Sequence, residues 1–311
     1  MKKSILLTGG AGYIGSILTG YLLKNDYKVT VVDNFIYEQN TLASFMYDEN
    51  LEIIKGDIRD QNLIKENMKK SDIIIPLAGY VGAPLCNLKK HEVEEINFKS
   101  NIFLFSNKSK DQIILMPTTN SAYGSGKEGQ IFDENSDLKP ISSYAIEKVK
   151  VEKELLSKDN VISFRLATVF GASPRMRLDL LVNDFVYRAY KDGFLVLFES
   201  NFKRNYIHIR DVCEVFLYSL NNFDNMKNQI YNVGLSDANL SKKELCEVIS
   251  KYLPLVYYEN NFKEDPDKRN YIVSNSKLEK TGFLPKFSIH DGIKELIKLY
   301  KGINLNNFRN Y

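Results

Sequence analysis

Through the first half of the chain, short apolar runs alternate with longer stretches in which apolar residues recur every three or four positions. The short runs predict strands at Ser4–Thr8, Lys28–Asp33, Leu51–Lys55, Asp72–Leu77, Gln112–Pro117 and Val161–Leu166. The longer stretches predict helices near Tyr13–Asn25, Asn62–Lys69, Lys89–Ser106 and Ser143–Ser157. Ile73-Ile74-Ile75 shows no polar alternation, the pattern of a strand buried on both faces. Strand and helix in regular alternation predict an α/β fold with a parallel sheet covered on both sides.

After Arg165 the alternation stops. A single apolar helix pattern covers Leu180–Ala189, then a strand-like Asn205–Ile209, a helix Val212–Leu220 and a strand Gln229–Val233. The last third carries Pro254, Pro266 and Pro285 between short helical patterns. The expected organisation is a sheet domain over 1–165 with returns near 205–233, and a smaller lobe built from 166–204 and 234–311.

Composition narrows the function classes. The 311 residues are 44% hydrophobic, enough for a sizeable core. Forty-two basic residues balance 39 acidic ones, for a net charge of +3, so neither nucleic acid nor a membrane surface is expected as a partner. Cys86, Cys213 and Cys246 show neither metal-ligand spacing nor a disulfide framework, which fits a reducing cytoplasm. The apolar run after Lys2-Lys3 breaks into glycines too soon for a leader, and no run approaches the roughly 20 residues of a membrane span. A soluble, cytoplasmic protein without a metal is expected.

The strongest local signal is Thr8-Gly9-Gly10-Ala11-Gly12-Tyr13-Ile14-Gly15, placed between a predicted strand and a predicted helix. Glycines there let the backbone turn tightly and approach a pyrophosphate lying at the positive end of the helix. Set on a parallel sheet, this pattern predicts a Rossmann-type, doubly wound dinucleotide-binding fold. Asp33 ends the second predicted strand, where a carboxylate can accept both ribose hydroxyls of NAD and repel the extra phosphate of NADP. The alternative is an aspartate that caps its own turn. Gly56-Asp57-Ile58-Arg59-Asp60 follows the third strand, within reach of an adenine or as an ordinary acidic turn.

Tyr144 and Lys148 stand four apart in a predicted helix and so share a face. A neighbouring ammonium favours the phenolate, which turns a poor base into a useful one. Such a pair is common in helices, and its weight comes from the glycine turn and from Thr118-Thr119-Asn120-Ser121-Ala122-Tyr123-Gly124 upstream. With that company the chain resembles the extended short-chain dehydrogenase/reductase family, which includes nucleotide-sugar epimerases and dehydratases. The likeness runs through TGGAGYIG (8–15), Asp33, GDIRD (56–60), PLAG (76–79), TTNSAYG (118–124), YAIEK (144–148), RLATVFG (165–171), RNYIHIRD (204–211) and YNVG (231–234).

The resemblance implies roles. Tyr144 is expected as the base that takes a sugar hydroxyl proton, Lys148 as its activator, and Thr119 as a hydrogen-bond partner of the reacting oxygen. NAD is implied on Gly9, Gly12, Tyr13, Ile14, Gly15, Asp33, Asn34, Asp57, Ile58, Leu77, Ala78, Gly79, Tyr144 and Lys148. A nucleotide-diphosphate sugar is implied on Asn120, Ser121, Thr168, Arg175, Arg177, Arg204 and Arg269, the arginines being either phosphate ligands or solvated surface residues. Asn120 and Ser121 occupy positions where similar 4,6-dehydratases carry an Asp-Glu pair, which disfavours elimination. Thr168 replaces an Asn common in the epimerases.

IIIPLAGYVGAPLC (73–86), RLATVFGASPRMRLDLLVNDF (165–185) and EDPDKRNYIVSN (264–275) are similar to the GDP-heptose 4-dehydrogenase group of bacterial capsule biosynthesis. That likeness implies oxidation at sugar C4, GDP-heptose as substrate, and a 2-oxo acid such as α-ketoglutarate as the final oxidant. A 4-epimerase needs the same residues and stays open, whereas a non-catalytic NAD sensor would be expected to have lost Thr119, Tyr144 and Lys148. The family likeness also implies a homodimer through Lys89–Ser106 and Ser143–Ser157, with Ile96, Ile102, Phe103, Val149 and Val151 at the contact or against the sheet. Cys86, in the loop after the fourth strand, is expected to be a buried small residue rather than a nucleophile, and His208 to be structural.

Overall fold

The computed structural model describes residues 2–127, 129–260 and 269–302. Its centre is a seven-stranded, all-parallel sheet in the order Gln229–Val233, Val161–Leu166, Ile113–Thr119, Ile73–Pro76, Ser4–Thr8, Lys28–Asp33, Leu51–Lys55. Ile73 and Ile75 pack into the larger apolar cluster, with Leu7 and Phe164, while Ile74 joins Leu6 and Met116 in a second one. Two cores on one sheet explain the unbroken apolar run: both faces of each central strand are covered.

Thr8 is level with Val32 on one side and Pro76 on the other. Ile113 is level with Ile73, so Thr119 stands three residues beyond Pro76, or roughly 10 Å further toward the carboxyl end of the sheet. The ends of these strands therefore form a stepped crevice, which is where open α/β sheets bind ligands.

Beyond the sheet the chain differs from the pattern-based expectation in several places. Gln229–Val233 joins the central sheet, but Lys203–His208 pairs instead with Thr168–Phe170 and Asn239–Ser241. Phe194–Leu197 pairs with Val256–Glu259, and Ile131–Phe132 with Ile272–Val273; these strands are too short to leave a periodic signal. Pro266 and residues 264–268 of the stretch 264–275 lie outside the described residues. The first helix begins at Gly15 rather than Tyr13, because 9–14 form the turn.

The helix expected over Lys89–Ser106 is a run of three pieces, Lys90–Val93, a π-helical Glu94–Lys99 and Ser100–Asn107. The wide turn carries Asn97, whose Oδ1 accepts from the Tyr80 N–H at 2.9 Å while Nδ2 donates to the Tyr80 carbonyl at 2.8 Å. Local widening of a helix of this kind is frequent at functional sites. Here it fixes the loop after the fourth central strand. Ile96 and Val151 are buried against the sheet within the monomer, whereas Phe98, Ile102 and Phe103 are partly buried and Ile146 is exposed. Among the described residues no helix is long and apolar enough to cross a membrane.

Candidate active site

The glycine turn is dictated by crowding. Gly9 has φ +72°, and a Cβ built on it would lie 2.5 Å from the Ala78 nitrogen; one on Gly15 would lie 2.4 Å from the Gly9 carbonyl oxygen. Only hydrogen fits at either position. Gly12 differs: a Cβ there meets the Gly9 carbonyl at 3.1 Å, finds nothing else within 4 Å, and would stand in the cavity that Gly12 lines. That open side, at the start of the helix Gly15–Lys24, is a fit for a pyrophosphate.

The same cavity is walled by Asp33, Asn34, Asp57, Ile58, Leu77, Ala78 and Gly79, so expected cofactor residues from four strand ends converge on it. Asp33 does two jobs. Its Oδ2 accepts from the Ala11 N–H at 2.9 Å and its Oδ1 from the Phe35 N–H at 2.8 Å, which ties the glycine turn to the end of the second strand. Burial raises its carboxyl pKa and these two bonds oppose the rise. Each oxygen keeps a further lone pair for a ribose hydroxyl. Asp57 is held by Arg59 at 2.6 Å, which lowers its pKa, and Asp60 caps the helix Gln61–Lys69.

The Tyr13 side chain is not part of the cavity wall. Its hydroxyl donates to the Gly171 carbonyl at 2.7 Å, and it is buried beside Asn183 on the far side of the turn. Ile14 packs into the larger core. Both therefore position the turn rather than line the cavity with their side chains.

Tyr144, Lys148 and Glu152 follow one another at helical spacing in Ser143–Leu155, a helix capped by Ser142. The helix packs against the strand Ile113–Thr119 and the turn Asn120–Tyr123, bringing Tyr144 to the Thr119 end of the crevice. Burial pushes the Tyr144 phenol up to about 12, the buried Cys86 thiol adds to that rise, and Arg177 and Arg269 pull it back. Lys148 is pushed down to about 8 by its burial. Its ammonium donates to the Pro117 carbonyl at 3.2 Å rather than to the phenol. The spacing rule placed both groups on one face and gave no sign of the two arginines, Arg177 and Arg269, that also act on the tyrosine.

Thr119 caps the next turn: its Oγ1 accepts from the Ser121 N–H at 3.1 Å and bonds the Ser121 hydroxyl at 3.0 Å. The Arg269 guanidinium donates to that same Ser121 oxygen. Asn120 is fully buried, with neither end of its amide hydrogen-bonded to protein.

The expected substrate arginines separate into two groups. Arg204 is buried beside Tyr206 and Tyr271, opposite the strand that carries Thr168, and Arg269 acts on the same Tyr206. Arg177, by contrast, is bound through two nitrogens to Asp179, and Arg175 belongs to the wall of the cofactor cavity, over the ring of Tyr37. An isolated arginine in a sequence gives no sign of which wall it serves.

Cys86 lies in a short helix, Ala83–Leu88, rather than a loop; it is buried, and its thiol is pushed up to about 11 by that burial. His208 is buried and paired with Glu295 at 2.9 Å. Among the described residues no group of three metal-ligating side chains converges.

A model of the NAD dependent epimerase/dehydratase family matches residues 5–234. The chain is 27% identical to the human dTDP-D-glucose 4,6-dehydratase, over 99% of this chain and 92% of that one. It is also 27% identical to the UDP-N-acetyl-α-D-glucosaminuronate decarboxylase of Bacillus cytotoxicus, over 97% and 99%. Its fold is similar to that of the UDP-glucuronic acid 4-epimerase from Bacillus cereus in complex with UDP-glucuronic acid and NAD. There the TM-score is 0.85 at 22% identity, covering 96% of this chain and 99% of that one.

Proposed function

The chain belongs to the NAD-dependent epimerase/dehydratase family, and we propose that it oxidises C4 of a nucleotide sugar to the ketone and stops there. Asn120 and Ser121 carry this reading, because they directly follow Thr119 in the turn beside Tyr144. Elimination across C5–C6 needs one group to take the C5 proton and an acid to release the C6 hydroxyl. An amide and an aliphatic hydroxyl do neither near neutral pH.

Loss of the C4 hydrogen and the hydroxyl proton needs less. The Tyr144 phenolate accepts the proton, and the Thr119–Ser121 hydroxyl pair hydrogen-bonds the oxygen as its charge develops. Bound NAD supplies the hydride acceptor. Thr168, Arg204 and Arg269 hold the diphosphate, guanidinium matching phosphate geometry. GDP-D-glycero-α-D-manno-heptose as the sugar, with a 2-oxo acid such as α-ketoglutarate as the terminal oxidant, is supported by the likeness of 73–86 and 165–185 to the GDP-heptose 4-dehydrogenase group. The C4 hydride then ends on C2 of the 2-oxo acid, giving the 2-hydroxy acid.

Mass spectrometry of the sugar nucleotide after incubation with enzyme and α-ketoglutarate tests the product. A loss of two hydrogens is expected. Loss of one water would make the protein a dehydratase, and unchanged mass with inverted C4 would make it a 4-epimerase.

A further inference from the structure

Tyr123 closes the turn Asn120–Tyr123, two residues after Ser121, and is fully buried. Its hydroxyl accepts from Arg165 Nη1 at 3.0 Å and donates to Asn232 Oδ1 at 2.7 Å. Arg165 and Asn232 stand level on the last two strands of that side of the sheet. Asn232 in turn donates through Nδ2 to the Ser274 carbonyl at 3.0 Å. The Tyr123 ring stacks on Phe132, with centroids 5.2 Å apart, and Tyr271 and Val273 complete a small separate apolar cluster. Arg269, on the same segment as Tyr271 and Val273, donates to the Ser121 hydroxyl.

A single turn of this tight kind has poor internal hydrogen-bond geometry, so its orientation depends on what its side chains grip. Within it the Ser121 N–H donates to Thr119 Oγ1 at 3.1 Å, and the Gly124 N–H reaches the Ser121 carbonyl at 3.3 Å. The Tyr123 hydroxyl adds a grip on two sheet strands and, through Asn232, on the strand Ile272–Val273. Burial pushes its pKa up to about 12, so it remains a donor to Asn232 at neutral pH.

We infer that Tyr123 is a positioning residue: its hydroxyl bolts the turn that carries Ser121 to the outer strands, and so sets the Thr119–Ser121 hydroxyl pair against the reacting oxygen. It acts through that pair and not on the sugar itself. The inference rests on the proposed oxidation at C4, in which the pair bonds the oxygen as its charge develops. Which nucleotide carries the sugar does not enter it.

Single-turnover reduction of enzyme-bound NAD by GDP-D-glycero-α-D-manno-heptose, with no 2-oxo acid present, isolates the hydride step. Tyr123→Phe keeps the ring on Phe132 and leaves Arg165 its Glu152 partner. Its rate at saturating sugar nucleotide should fall at least about tenfold, because small misplacements near reacting atoms are costly, while the half-saturating concentration stays within about twofold. Asn232→Ala removes the same bond from outside the turn and should give a similar loss, which keeps the test decisive if Tyr123→Phe does not fold. A tyrosine that served stability alone would not give the next result. In a Ser121→Ala background, where the hydroxyl pair is already broken, Tyr123→Phe should cost no more than about a further twofold. A Tyr123→Phe rate within about twofold of the parent's, or a full extra loss in the Ser121→Ala background, would overturn the positioning role alone. A parent enzyme that reduces no NAD would overturn the oxidation at C4, and the role of Tyr123 with it.

Discussion

Tyr144→Phe should lower turnover by at least the roughly 10²–10⁴-fold typical of a general acid–base group, with sugar-nucleotide affinity nearly unchanged. Among the described residues near it, neither Cys86 nor Lys148 can take over its job. Cys86 is a neutral thiol whose Sγ is 3.6 Å from the Tyr80 carbonyl oxygen. Lys148 is committed to Pro117. Burial holds the phenol protonated, up to about 12, and Arg177 and Arg269 oppose that. Exclusion of water by a bound substrate strengthens the pull of both cations. The substitution keeps the ring and its packing, so steady-state kinetics read the missing hydroxyl alone. Activity within a few-fold of the parent would show that another residue is the base.

Glu152→Ala should be the most destabilising of the single changes near the site, by about 3–5 kcal/mol. Glu152 and Arg165 are both buried; the carboxylate accepts from Arg165 Nη2 at 2.6 Å and Nε at 3.0 Å, from the Thr118 hydroxyl at 2.9 Å and from Ser163 at 2.7 Å. Removing it leaves the guanidinium buried with, among the described residues, the Tyr123 hydroxyl and the Glu134 carbonyl to accept from it. The same carboxylate joins the helix of Tyr144 to the strand that ends in Thr119, so their relative position depends on it. Urea unfolding should show the loss as a lowered midpoint, and surviving folded protein should lose turnover as well. A change within about 0.5 kcal/mol, the range of an ordinary surface substitution, would mean that the pair is dispensable.

The parallel sheet could be read in advance because Ile73-Ile74-Ile75 is an unbroken apolar run between turn signals, as a strand buried on both faces requires, and the regular alternation of strands with helices set it in a parallel sheet. The glycine turn was equally legible, since crowding at Gly9 and Gly15 forces residue type and spacing together. Tyr144 and Lys148 followed from helical geometry. What stayed hidden depends on contacts between distant segments. Asn97 pins Tyr80 through a π-helical turn that has no periodic signature, and the Tyr37 ring meets Arg175, from a distant part of the chain. Arg175, Arg177, Arg204 and Arg269 look alike in the sequence, and only packing separates the cavity wall, the Asp179 ion pair and the Tyr206 cluster.

The fate of the hydrogen on sugar C4 tests the proposed chemistry most directly. GDP-heptose deuterated at C4, incubated with the enzyme and α-ketoglutarate, should yield 2-hydroxyglutarate carrying the deuterium at C2 and a 4-keto sugar without it. Deuterium that stays in the sugar would contradict the proposal: at C4 it would mark an epimerase, and at C6 a dehydratase.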